Sequence, residues 1–379
     1  MAIAIVHDWL TGMRGGEKVL AGMASLYPQA DLFTLIHVRG SCSPDIEARR
    51  ITTTWLNKLP RVDRYYRCLL PLMPRAIESL DLRGYDLVLS SSHCVAKGVR
   101  KPPGALHVCY CHTPMRYAWS QEDAYRRAMG PGGLGLRLFR KSLRRWDVRT
   151  AAGVDHFLAN SQNVANRIRE TYSRESTVVY PPVDTAFYTP DREPREDFYL
   201  IVGAMAPNKR FDQAIEAMRL LPERWLVVIG TGQTEAYLRR HAPSNVTFLG
   251  WQSDEVVRDH YRRCRALLFP GEEDFGIVPV EAMACGCPVI AYGAGGALET
   301  VVDLGTADPG CSSGLCYQPQ TPQALADAIH RFESHQGCFD PEWIVWHASR
   351  FSTERFCQEF ARIVADLVAG SGMTVPVLS

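Results

Sequence analysis

Several features that assign chains to common functional classes are missing from this sequence of 379 residues. It contains no run of about 18 apolar residues, so no segment is expected to span a membrane. The apolar run at its start, Ile3–Val6, is too short for a secretory signal. The formal net charge is only +1, which gives no electrostatic reason to expect nucleic acid as a partner.

Twelve cysteines are present, but no two have the Cys-x-x-Cys spacing of zinc sites and thiol oxidoreductases. The closest pairs, Cys109-x-Cys111 and Cys285-x-Cys287, fall in a predicted strand and at a predicted helix end. Together with the absence of a secretory signal, this indicates buried, reduced thiols. The expected location is therefore the cytoplasm.

Predicted strands and helices alternate along the chain, and a composition of 46% hydrophobic and 22% charged residues is typical of globular proteins. Many strands are continuously apolar, as expected for parallel strands that helices cover on both faces. The predicted strands are Ala2–Ile5, Leu32–Ile36, Asp86–Ser90, Leu106–Cys111, His156–Ala159, Thr177–Tyr180, Phe198–Gly203, Trp225–Ile229, Val246–Leu249, Ala266–Phe269, Val289–Tyr292 and Leu315–Tyr317. The class is therefore α/β.

A proline-rich break, Tyr180–Asp184, separates two series of such elements, and the polar stretch Thr189–Asp197 has the composition of a linker. The length also favours two domains. We therefore predict two doubly wound domains, residues 1–184 and 185–349, with ligands at the carboxyl ends of their strands. A last helix within residues 350–370 has no strand after it and is expected to pack back on the first domain.

The stretch Phe269–Ile290, FPGEEDFGIVPVEAMACGCPVI, is predicted to form a strand end, a loop, a helix and a strand. The helix covers Val278–Cys285, with Pro279 near its start. Two carboxylates, Glu273 and Glu281, flank the glycine turn before this helix. They stand at the edge of the sheet where ligands bind, and packing requires no carboxylate there.

This stretch and four further motifs, in their order along the chain, resemble family 4 retaining glycosyltransferases over almost the whole sequence. The further motifs are Arg14–Lys18 (RGGEK), Cys111–Tyr117 (CHTPMRY), Lys209–Asp212 (KRFD) and Gly295–Thr300 (GGALET), with Tyr180–Asp184 (YPPVD) as the hinge. The resemblance implies the GT-B fold, which consists of two facing Rossmann-like domains with a cleft between them. The first domain then lies on the acceptor side, and the second binds a nucleotide-sugar donor.

The resemblance also implies roles for the donor-site residues. Glu273 is expected to contact the transferred sugar and Glu281 the ribose, since carboxylates accept strong hydrogen bonds from vicinal hydroxyls. Backbone N–H groups around Phe275-Gly276-Ile277 are expected to hold the sugar and the diphosphate. Without the other motifs, the preferred interpretation would be that Glu273 is a loop charge and Glu281 a solvated helix residue.

Lys209 matches the family lysine that neutralises the donor diphosphate as it leaves, which stabilises the developing charge. The family arginine that follows the glycine ending the first strand of this domain is absent, because Ala204 follows Gly203 here. Arg210 is a candidate for the second charge. A surface cation is the alternative for Arg210, since adjacent side chains do not naturally point the same way.

His112 follows a predicted strand, where the family places a histidine that orients the donor sugar; a satisfied core histidine is the alternative. Gly15 and Gly16 lie in the first strand-to-helix loop, where the family brings the donor phosphate and the acceptor close to the backbone. That loop lacks the Gly-x-Gly-x-x-Gly fingerprint of dinucleotide sites. Gly295 is expected to be another close-approach turn near the phosphates, or only a helix entry.

No Asp-x-Asp occurs in the chain, which disfavours the metal-bound diphosphate of the other common glycosyltransferase fold. We expect no metal and no cofactor, with the nucleotide sugar as co-substrate. By resemblance, the acceptor attacks the face from which the leaving group departs, and the leaving phosphate takes its proton. Such a mechanism retains the configuration of the transferred sugar.

A basic helix is predicted over Gly132–Thr150, with an apolar stripe and the cations Arg137, Lys141 and Arg144 on other faces. Such a helix suits the acceptor side and peripheral contact with the anionic inner face of the cytoplasmic membrane. Arg61–Arg75 is a second basic and aromatic stretch. An ordinary helix with a core stripe and a solvated face is the alternative.

The predicted function is transfer of a hexose to a saccharide or to a polyprenyl-diphosphate-linked glycan in the synthesis of a surface polysaccharide. The start His7–Leu10 and the loop Pro207–Arg210 resemble bacterial mannosyltransferases that use GDP-mannose. A UDP-hexose-dependent enzyme of the same fold is the alternative. A non-catalytic nucleotide-sugar-binding scaffold, a phosphorylase-like enzyme and a Rossmann oxidoreductase are rivals from other classes.

Overall fold

The computed structural model describes residues 1–119, 133–306, 308 and 310–372, with the backbone alone for residues 133–138. The chain forms two compact units. Unit 1 comprises Met1–Pro182 and the C-terminal segment that begins at Glu354, and unit 2 comprises Val183–Thr353.

In the described part of unit 1, seven parallel strands form one sheet. They are β1 (Ile3–His7), β2 (Asp31–Thr34), β3 (Ile51–Thr53), β4 (Leu87–Ser92), β5 (Leu106–Cys111), β6 (His156–Ala159) and β7 (Ser176–Val178). Their order is β3-β2-β1-β4-β5-β6-β7, so the chain reverses direction across the sheet at β1. This is the doubly wound arrangement that the sequence predicts.

The described residues of unit 2 contain a second parallel sheet, of six strands. They are β8 (Tyr199–Val202), β9 (Leu226–Ile229), β10 (Val246–Gly250), β11 (Leu267–Phe269), β12 (Val289–Tyr292) and β13 (Gly314–Tyr317). Their order is β10-β9-β8-β11-β12-β13, with the reversal at β8. The predicted α/β class with two Rossmann-like domains is therefore confirmed.

Helices cover both sheets. In unit 1 they are α1 (Gly15–Leu26), α2 (Pro44–Glu47), α3 (Val62–Tyr65), α4 (Met73–Glu78), α5 (Gly133–Ala151) and α6 (Gln162–Tyr172). Then follow α7 (Phe211–Leu220), α8 (Glu235–His241), α9 (Asp254–Arg263), α10 (Ile277–Ala284), α11 (Ala297–Thr300), α12 (Pro322–Ser334), α13 (Pro341–Ser349) and α14 (Thr353–Gly370). Short 3-10 turns lie at Trp55–Lys58, Tyr66–Leu69, Ala96–Gly98, Pro207–Lys209 and Gln336–Cys338.

One strand, β3, escapes prediction from the sequence. It has three residues, Ile-Thr-Thr, and all three are only half-buried. So short a segment shows neither an apolar run nor an alternation that distinguishes a strand from a loop. Its pairing with β2 fixes it instead.

Local signals set several helix starts. Thr321, before Pro322 of α12, accepts a hydrogen bond from the N–H of Ala324, and Ser161 before α6 accepts one from Val164. These are N-caps that satisfy backbone donors at a helix start. The starts of α6 and α12 can therefore be recognised from their capping residues in the sequence.

The core of unit 1 lies on both faces of its sheet. Ile3 and Ile5 of β1 pack in a cluster with side chains of α1 and α14, whereas Ala4 and Val6 join a cluster with side chains of α4 and α5. Alternate residues of a strand point to opposite faces, and β1 is apolar on both faces from Ile3 to Val6. Helices on both faces of the sheet explain this continuous apolar run.

The C-terminal helix α14 belongs to the core of unit 1. Phe356 and Phe360 are fully buried, and both rings contact the ring of Tyr110 in β5. A Cβ atom at Gly22 of α1 would lie 3.0 Å from the ring of Phe356, so the absence of a side chain there lets α14 approach α1. Residues from the far end of the sequence thus complete this unit.

The segment Thr189–Asp197, which has a linker composition, lies within unit 2. The guanidinium of Arg195 donates hydrogen bonds to the carbonyl oxygens of Tyr261, Arg262 and Cys264. These bonds hold the segment against the C-terminal end of α9. It is part of the packed unit despite its polar composition.

A buried ion pair fixes α5. The Nζ of Lys97 lies 2.8 Å from Oδ1 of Asp147, and the two side chains are 2% and 0% exposed. Oδ2 of Asp147 accepts hydrogen bonds from Trp119 Nε1 and Tyr172 OH, each at 2.8 Å. A buried pair is stable only when such bonds satisfy its remaining groups, so this network locates α5 on unit 1.

All twelve cysteines are free thiols. Among the described residues, no helix combines the length and the apolar character that crossing a bilayer requires.

Replacement of Phe360 by alanine is expected to lower the free energy of unfolding by about 3–5 kcal/mol, because a fully buried ring is removed from the core of unit 1. Urea titration followed by far-UV circular dichroism measures the change. Arg362→Ala on the same helix is the control, since that side chain is 66% exposed and pairs with exposed Asp366. Equal effects of the two substitutions would show that α14 does not contribute a core face.

Candidate active site

In unit 1, polar side chains gather where the central strands end. His7 is the last residue of β1, Ser91 lies near the end of β4, and His112 follows β5. These three strands are neighbours in the sheet, so their carboxyl ends lie side by side. This is the edge at which doubly wound sheets bind ligands.

Hydrogen bonds connect these side chains. Nε2 of His112 lies 2.8 Å from Oγ of Ser91, and the same Oγ lies 3.1 Å from Nδ1 of His7. Nε2 of His7 is in turn 3.8 Å from Oε1 of Glu17 in α1. The predicted residue His112 is therefore one end of a connected polar chain, which the sequence did not reveal.

Glu17 is a buried capping residue and not a surface charge. Its side chain is 4% exposed, and its Oε2 accepts a hydrogen bond from the N–H of Arg14 at the start of α1. Burial alone would raise the pKa of Glu17, but the neighbouring His7 and His93 and the backbone hydrogen bond lower it below its usual value. The carboxyl is therefore ionised at neutral pH.

Two histidines of this cluster, His112 and His93, have lowered pKa values. Burial and the neighbouring His93 and His7 hold the pKa of His112 well below its ordinary value. Burial, with His7 and Arg116 nearby, lowers the pKa of His93 to about 3. Both rings are therefore neutral at physiological pH, so His112 acts through hydrogen bonds and not through a fixed positive charge.

Asp8 fixes the loop after β4 and is a second residue that sequence reasoning missed. Its carboxylate accepts hydrogen bonds from four consecutive backbone N–H groups, those of residues 93–96, at 2.6–2.9 Å. Its Oδ2 also lies 3.1 Å from Nδ1 of His93. The only sequence signal is an acidic residue directly after an apolar strand, which is too common to be specific.

One of the two predicted glycines of the first loop, Gly16, lies beside this cluster. Gly15 and Gly16 are the first two residues of α1. A Cβ atom at Gly16 would lie 3.7 Å from Cε1 of His7 and 3.9 Å from Nε2 of His112. The structure therefore brings Gly16 and His112 together at the start of a helix.

In unit 2, Lys209 and Glu273 form an ion pair. Lys209 ends the turn after β8, and Glu273 lies in the loop between β11 and α10. Their side chains are 27% and 20% exposed, so each remains within reach of solvent. Two of the three predicted catalytic residues thus contact each other directly.

Arg210 points elsewhere. Its backbone is left-handed, with φ at 53°, and its guanidinium contacts Oδ2 of Asp212 at 3.1 Å and Oε1 of Gln320 at 3.2 Å. Lys209 pairs instead with Glu273, so the two neighbouring cations have separate acidic partners. The predicted role of Arg210 in donor binding remains a prediction.

The turn before α10 has the geometry that its glycine permits. Gly276 has φ at 91°, a conformation that disfavours side chains, and α10 begins at Ile277. Phe275 is buried, with its ring centroid 5.5 Å from that of Phe351. The backbone of these three predicted donor-binding residues thus forms the entry to the helix.

Glu281 is buried in α10, at 5% exposure, so the alternative of a solvated helix residue is wrong. The hydroxyl of Tyr261 in α9 donates a hydrogen bond of 3.3 Å to its Oε2. Tyr261 itself is fully buried and had no signal in the sequence beyond an apolar position of a helix. The carboxylate is therefore held from inside the unit.

Gly295 makes a close approach, but the group that it approaches is the protein backbone. A Cβ atom there would collide with the carbonyl oxygen of Glu273, and one at Gly296 would collide with the backbone of Phe275. The N–H of Gly296 donates a hydrogen bond of 2.8 Å to the same carbonyl of Glu273. The two glycines thus position the loop that carries Glu273.

The predicted membrane-facing cations differ in their surroundings. The side chain of Arg137 lies outside the described residues, and Lys141 is exposed. Arg144 is half-buried: its Nε donates a hydrogen bond of 2.7 Å to the carbonyl of Ala118, and its guanidinium lies 4.6 Å from the ring centroid of Trp119. Arg144 is therefore used within unit 1.

The stripe of α5 is partly core. Leu143 and Trp146 are buried, whereas Phe139 is 49% exposed.

Among the residues that the structure places, no group of three or more His, Cys, Asp or Glu side chains is arranged to hold a metal ion.

Solved structures share this fold over almost the whole chain. Anabaena HepE, crystallised with UDP, superposes with a TM-score of 0.69 at 19% identity and covers 97% of this chain and 100% of its own. Sucrose-phosphate synthase from Thermosynechococcus elongatus gives a TM-score of 0.72 at 18% identity, over 98% and 100% of the two chains. The expected GT-B fold is confirmed.

Curated relatives match a smaller part of this chain than the solved structures do. Human alpha-1,3/1,6-mannosyltransferase ALG2 is 27% identical over 68% of this chain and 67% of its own length. The O-antigen chain mannosyltransferase RfbU of Salmonella typhimurium is 27% identical over 49% of this chain and 56% of its own. The D-inositol 3-phosphate glycosyltransferase of Mycobacteroides abscessus is 26% identical over 56% and 53%. The chain thus spans only about half the length of the last two relatives.

Two family models match adjacent parts of the sequence. The model described as Glycosyltransferase Family 4 matches residues 13–187, and the model described as Glycosyl transferases group 1 matches residues 186–341. The first contains Glu17, Ser91 and His112 but begins after His7, and the second contains Lys209, Glu273 and Glu281. On these matches, the chain belongs to the glycosyltransferases that the two models describe.

Proposed function

We propose that the chain is a retaining, metal-independent glycosyltransferase that transfers a hexose from a nucleotide sugar, with mannose from GDP-mannose favoured. The acceptor is a saccharide or a polyprenyl-diphosphate-linked glycan in the synthesis of a surface polysaccharide. The observation that carries this proposal is the ion pair of Lys209 with Glu273. These are the two residues of unit 2 to which the family pattern gives catalytic roles.

The pair suits an exchange of partners. Without nucleotide, Lys209 and Glu273 compensate each other's charge at a partly exposed position. A diphosphate offers Lys209 a stronger anionic partner, and Glu273 is then released to accept hydrogen bonds from the hydroxyls of the sugar. Lys209 thereafter stabilises the negative charge that develops as the nucleoside diphosphate leaves.

The remaining donor contacts come from the start of α10 and from Glu281. The backbone N–H groups after Gly276 stand at a helix start, which favours anionic groups such as phosphate. The buried carboxylate of Glu281, held by Tyr261, accepts hydrogen bonds from the ribose hydroxyls. As in the family that the sequence resembles, the leaving phosphate takes the proton of the acceptor.

The identity of the donor rests on the relatives. Two of them are named as mannosyltransferases, which supports mannose. HepE was solved with UDP and with UDP-glucose, which supports a nucleotide-sugar donor and keeps the UDP-hexose alternative. The non-catalytic scaffold is the remaining candidate, and it predicts binding without turnover.

Peripheral contact with an anionic membrane is part of the proposal, but residues 55–75 suit it better than Arg144 does. We call this segment the basic-aromatic segment. Trp55, Tyr65 and Leu72 are 42%, 37% and 40% exposed in it. The exposed cations of the segment are Lys58, Arg61, Arg64, Arg67 and Arg75. Exposed aromatic side chains among cations favour the interface of anionic lipids.

Substitution of Glu281 by glutamine is expected to weaken GDP binding roughly 10- to 100-fold, because hydrogen bonds to a charged group contribute about 1.5–3 kcal/mol. Isothermal titration calorimetry in EDTA, with GDP, UDP and ADP in turn, measures this change. Tyr261→Phe is the control: it removes the hydroxyl that contacts Oε2 but keeps the carboxylate.

The same titrations test the donor. Tight binding of GDP alone points to GDP-mannose, whereas a preference for UDP overturns that donor and keeps the fold and the site. No binding of any of the three nucleotides would contradict the proposed enzyme.

Substitution of Lys209 by alanine is expected to lower kcat by roughly 100- to 1000-fold, the range found when one group that stabilises a developing anion is removed. The measurement is release of GDP from GDP-mannose with a polyprenyl-diphosphate-linked oligosaccharide as acceptor. Arg210→Ala is the matched comparison and is expected to have a much smaller effect, because Asp212 and Gln320 occupy that guanidinium. Equal losses would show that Arg210 replaces the arginine absent at position 204.

Substitution of Arg61, Arg64 and Arg67 by glutamate together is expected to abolish sedimentation of the protein with phosphatidylglycerol liposomes, since about 1 kcal/mol of attraction is lost per cation. The control is Arg219→Glu in unit 2, an exposed cation far along the sequence from the basic-aromatic segment. Unchanged sedimentation of the triple variant would remove this segment from the membrane proposal.

A further inference from the structure

Four buried groups in unit 1 form a polar chain in which hydrogen bonds join His7, Ser91 and His112, while Glu17 lies beyond hydrogen-bond distance of His7. The reaction described above does not use this chain in full. Its members are Glu17, His7, Ser91 and His112, at 3%, 0%, 0% and 8% exposure. The successive distances are 3.8, 3.1 and 2.8 Å. Because the chain is shielded from water, the hydrogen bonds and charges within it determine the position of each proton.

The proton positions follow from the carboxylate end. Glu17 is ionised, and its Oε1 faces Nε2 of His7, so a negative charge favours a proton on that nitrogen. In the neutral form of the His7 ring the single proton then lies on Nε2, and Nδ1 presents a lone pair to Ser91. The one hydroxyl hydrogen of Ser91 must then point to His7.

The consequence reaches His112. Since Ser91 has already donated its hydrogen, its oxygen can only accept from Nε2 of His112. Nε2 therefore carries the proton of a neutral ring, and Nδ1 bears a lone pair. Among the residues that the structure describes, no hydrogen bond is made by Nδ1 of His112, so this lone pair is left for a ligand.

We propose that Glu17, His7 and Ser91 are positioning residues that hold the proton of His112 on Nε2, so that its Nδ1 accepts a hydrogen bond from a hydroxyl of a sugar bound at this edge of unit 1. This inference rests on the proposed function for the identity of the ligand, a hydroxylated sugar ring. For the position of the proton it rests on the geometry of the chain, on the ionised Glu17 and on neutral rings of His7 and His112. The neutral side chain thus selects a hydroxyl donor at that point of the site.

The sheet contains a matched comparison for this chain. Ser90, the neighbour of Ser91 on β4, makes its own hydrogen bond of 2.8 Å to Nε2 of His107 on β5. Both members are buried, as in the proposed chain. Consecutive residues of a strand face opposite sides of the sheet, so Ser90→Ala removes an equivalent bond without touching the proposed chain.

Nuclear magnetic resonance reads the proton positions directly. The full-length protein is labelled with 15N-histidine, and long-range 1H–15N correlation spectra distinguish protonated from bare ring nitrogens. The signals of His112 are those that disappear in His112→Gln. The proposal expects a proton on Nε2 and none on Nδ1. A proton on Nδ1 alone, or on both nitrogens, overturns it.

Variants test the cause. In Glu17→Gln the negative charge is gone and the side-chain amide can donate to Nε2 of His7. The proton of that ring then moves to Nδ1, Ser91 donates to His112, and the His112 proton moves to its Nδ1. Ser91→Ala is expected to leave His112 as a mixture of both tautomers. Ser90→Ala is expected to change the signals of His107 and to leave those of His112 unaltered; a His112 tautomer insensitive to Glu17→Gln overturns the proposal.

Kinetics provide the second readout. Glu17→Gln is expected to lower kcat with GDP-mannose about tenfold, as for one hydrogen bond lost in the transition state, with the Kd for GDP changed less than about twofold. Ser90→Ala is expected to leave kcat unaltered. An unchanged kcat in Glu17→Gln, with the tautomer reversed, would overturn the role in sugar binding.

The two proposals fail in different ways. If the wild type turns over GDP-mannose but His112 carries its proton on Nδ1, the chain of proton positions is overturned and the enzyme stands. If no nucleotide sugar is turned over, the proposed function fails, and the sugar-hydroxyl role fails with it. The spectra still decide the tautomer and its dependence on Glu17.

Discussion

Four consecutive backbone N–H groups of unit 1 converge on the carboxylate of Asp8, and the candidate site of this unit depends on that convergence. Backbone donors buried without partners would cost free energy. The conformation of the turn after β4 is therefore determined by Asp8, which directly follows β1. The carboxylate also contacts His93, whose ring stands 6.2 Å from that of His112. One buried charge thus sets the arrangement of the histidines around it.

In unit 2 the corresponding constraint is close packing of backbone on backbone. The glycines at positions 295 and 296 have no room for a Cβ atom, because the loop of Glu273 and Phe275 occupies that space. The segment that follows β12 therefore fixes this loop, and with it the position of Glu273. Pre-organisation of this kind is what electrostatic stabilisation of a leaving group requires.

The sequence was sufficient for the parts of the molecule that local patterns encode. Apolar strands alternating with helices predicted both sheets. Motifs named His112, Lys209, Glu273 and Glu281 as candidate site residues, and their roles stay predictions. The sequence was insufficient for hydrogen bonds between residues that are far apart along the chain. His7 and Ser91 are 84 residues apart, and no pattern along the chain indicates that they share a hydrogen bond.

Two further differences have local causes. The left-handed backbone of Arg210 is unusual for a residue other than glycine, so the direction of its side chain could not be anticipated. The half-buried position of Arg144 depends on Trp119, which lies outside the helix whose periodicity suggested an exposed face. Helical spacing identifies faces but not the neighbours that cover them.

Two lysine ion pairs, one in the core of unit 1 and one in the candidate site of unit 2, show why one lysine suits the proposed exchange of partners and the other does not. Lys97 and Asp147 are almost wholly buried, and breaking such a pair costs about 3–5 kcal/mol, so this pair is permanent structure. Lys209 and Glu273 retain access to solvent, and pairs of that kind contribute only about 0–1 kcal/mol. A phosphate can therefore displace Glu273 from Lys209 at little cost. Exposure, more than charge, distinguishes the lysine that can exchange its partner from the lysine that holds the fold.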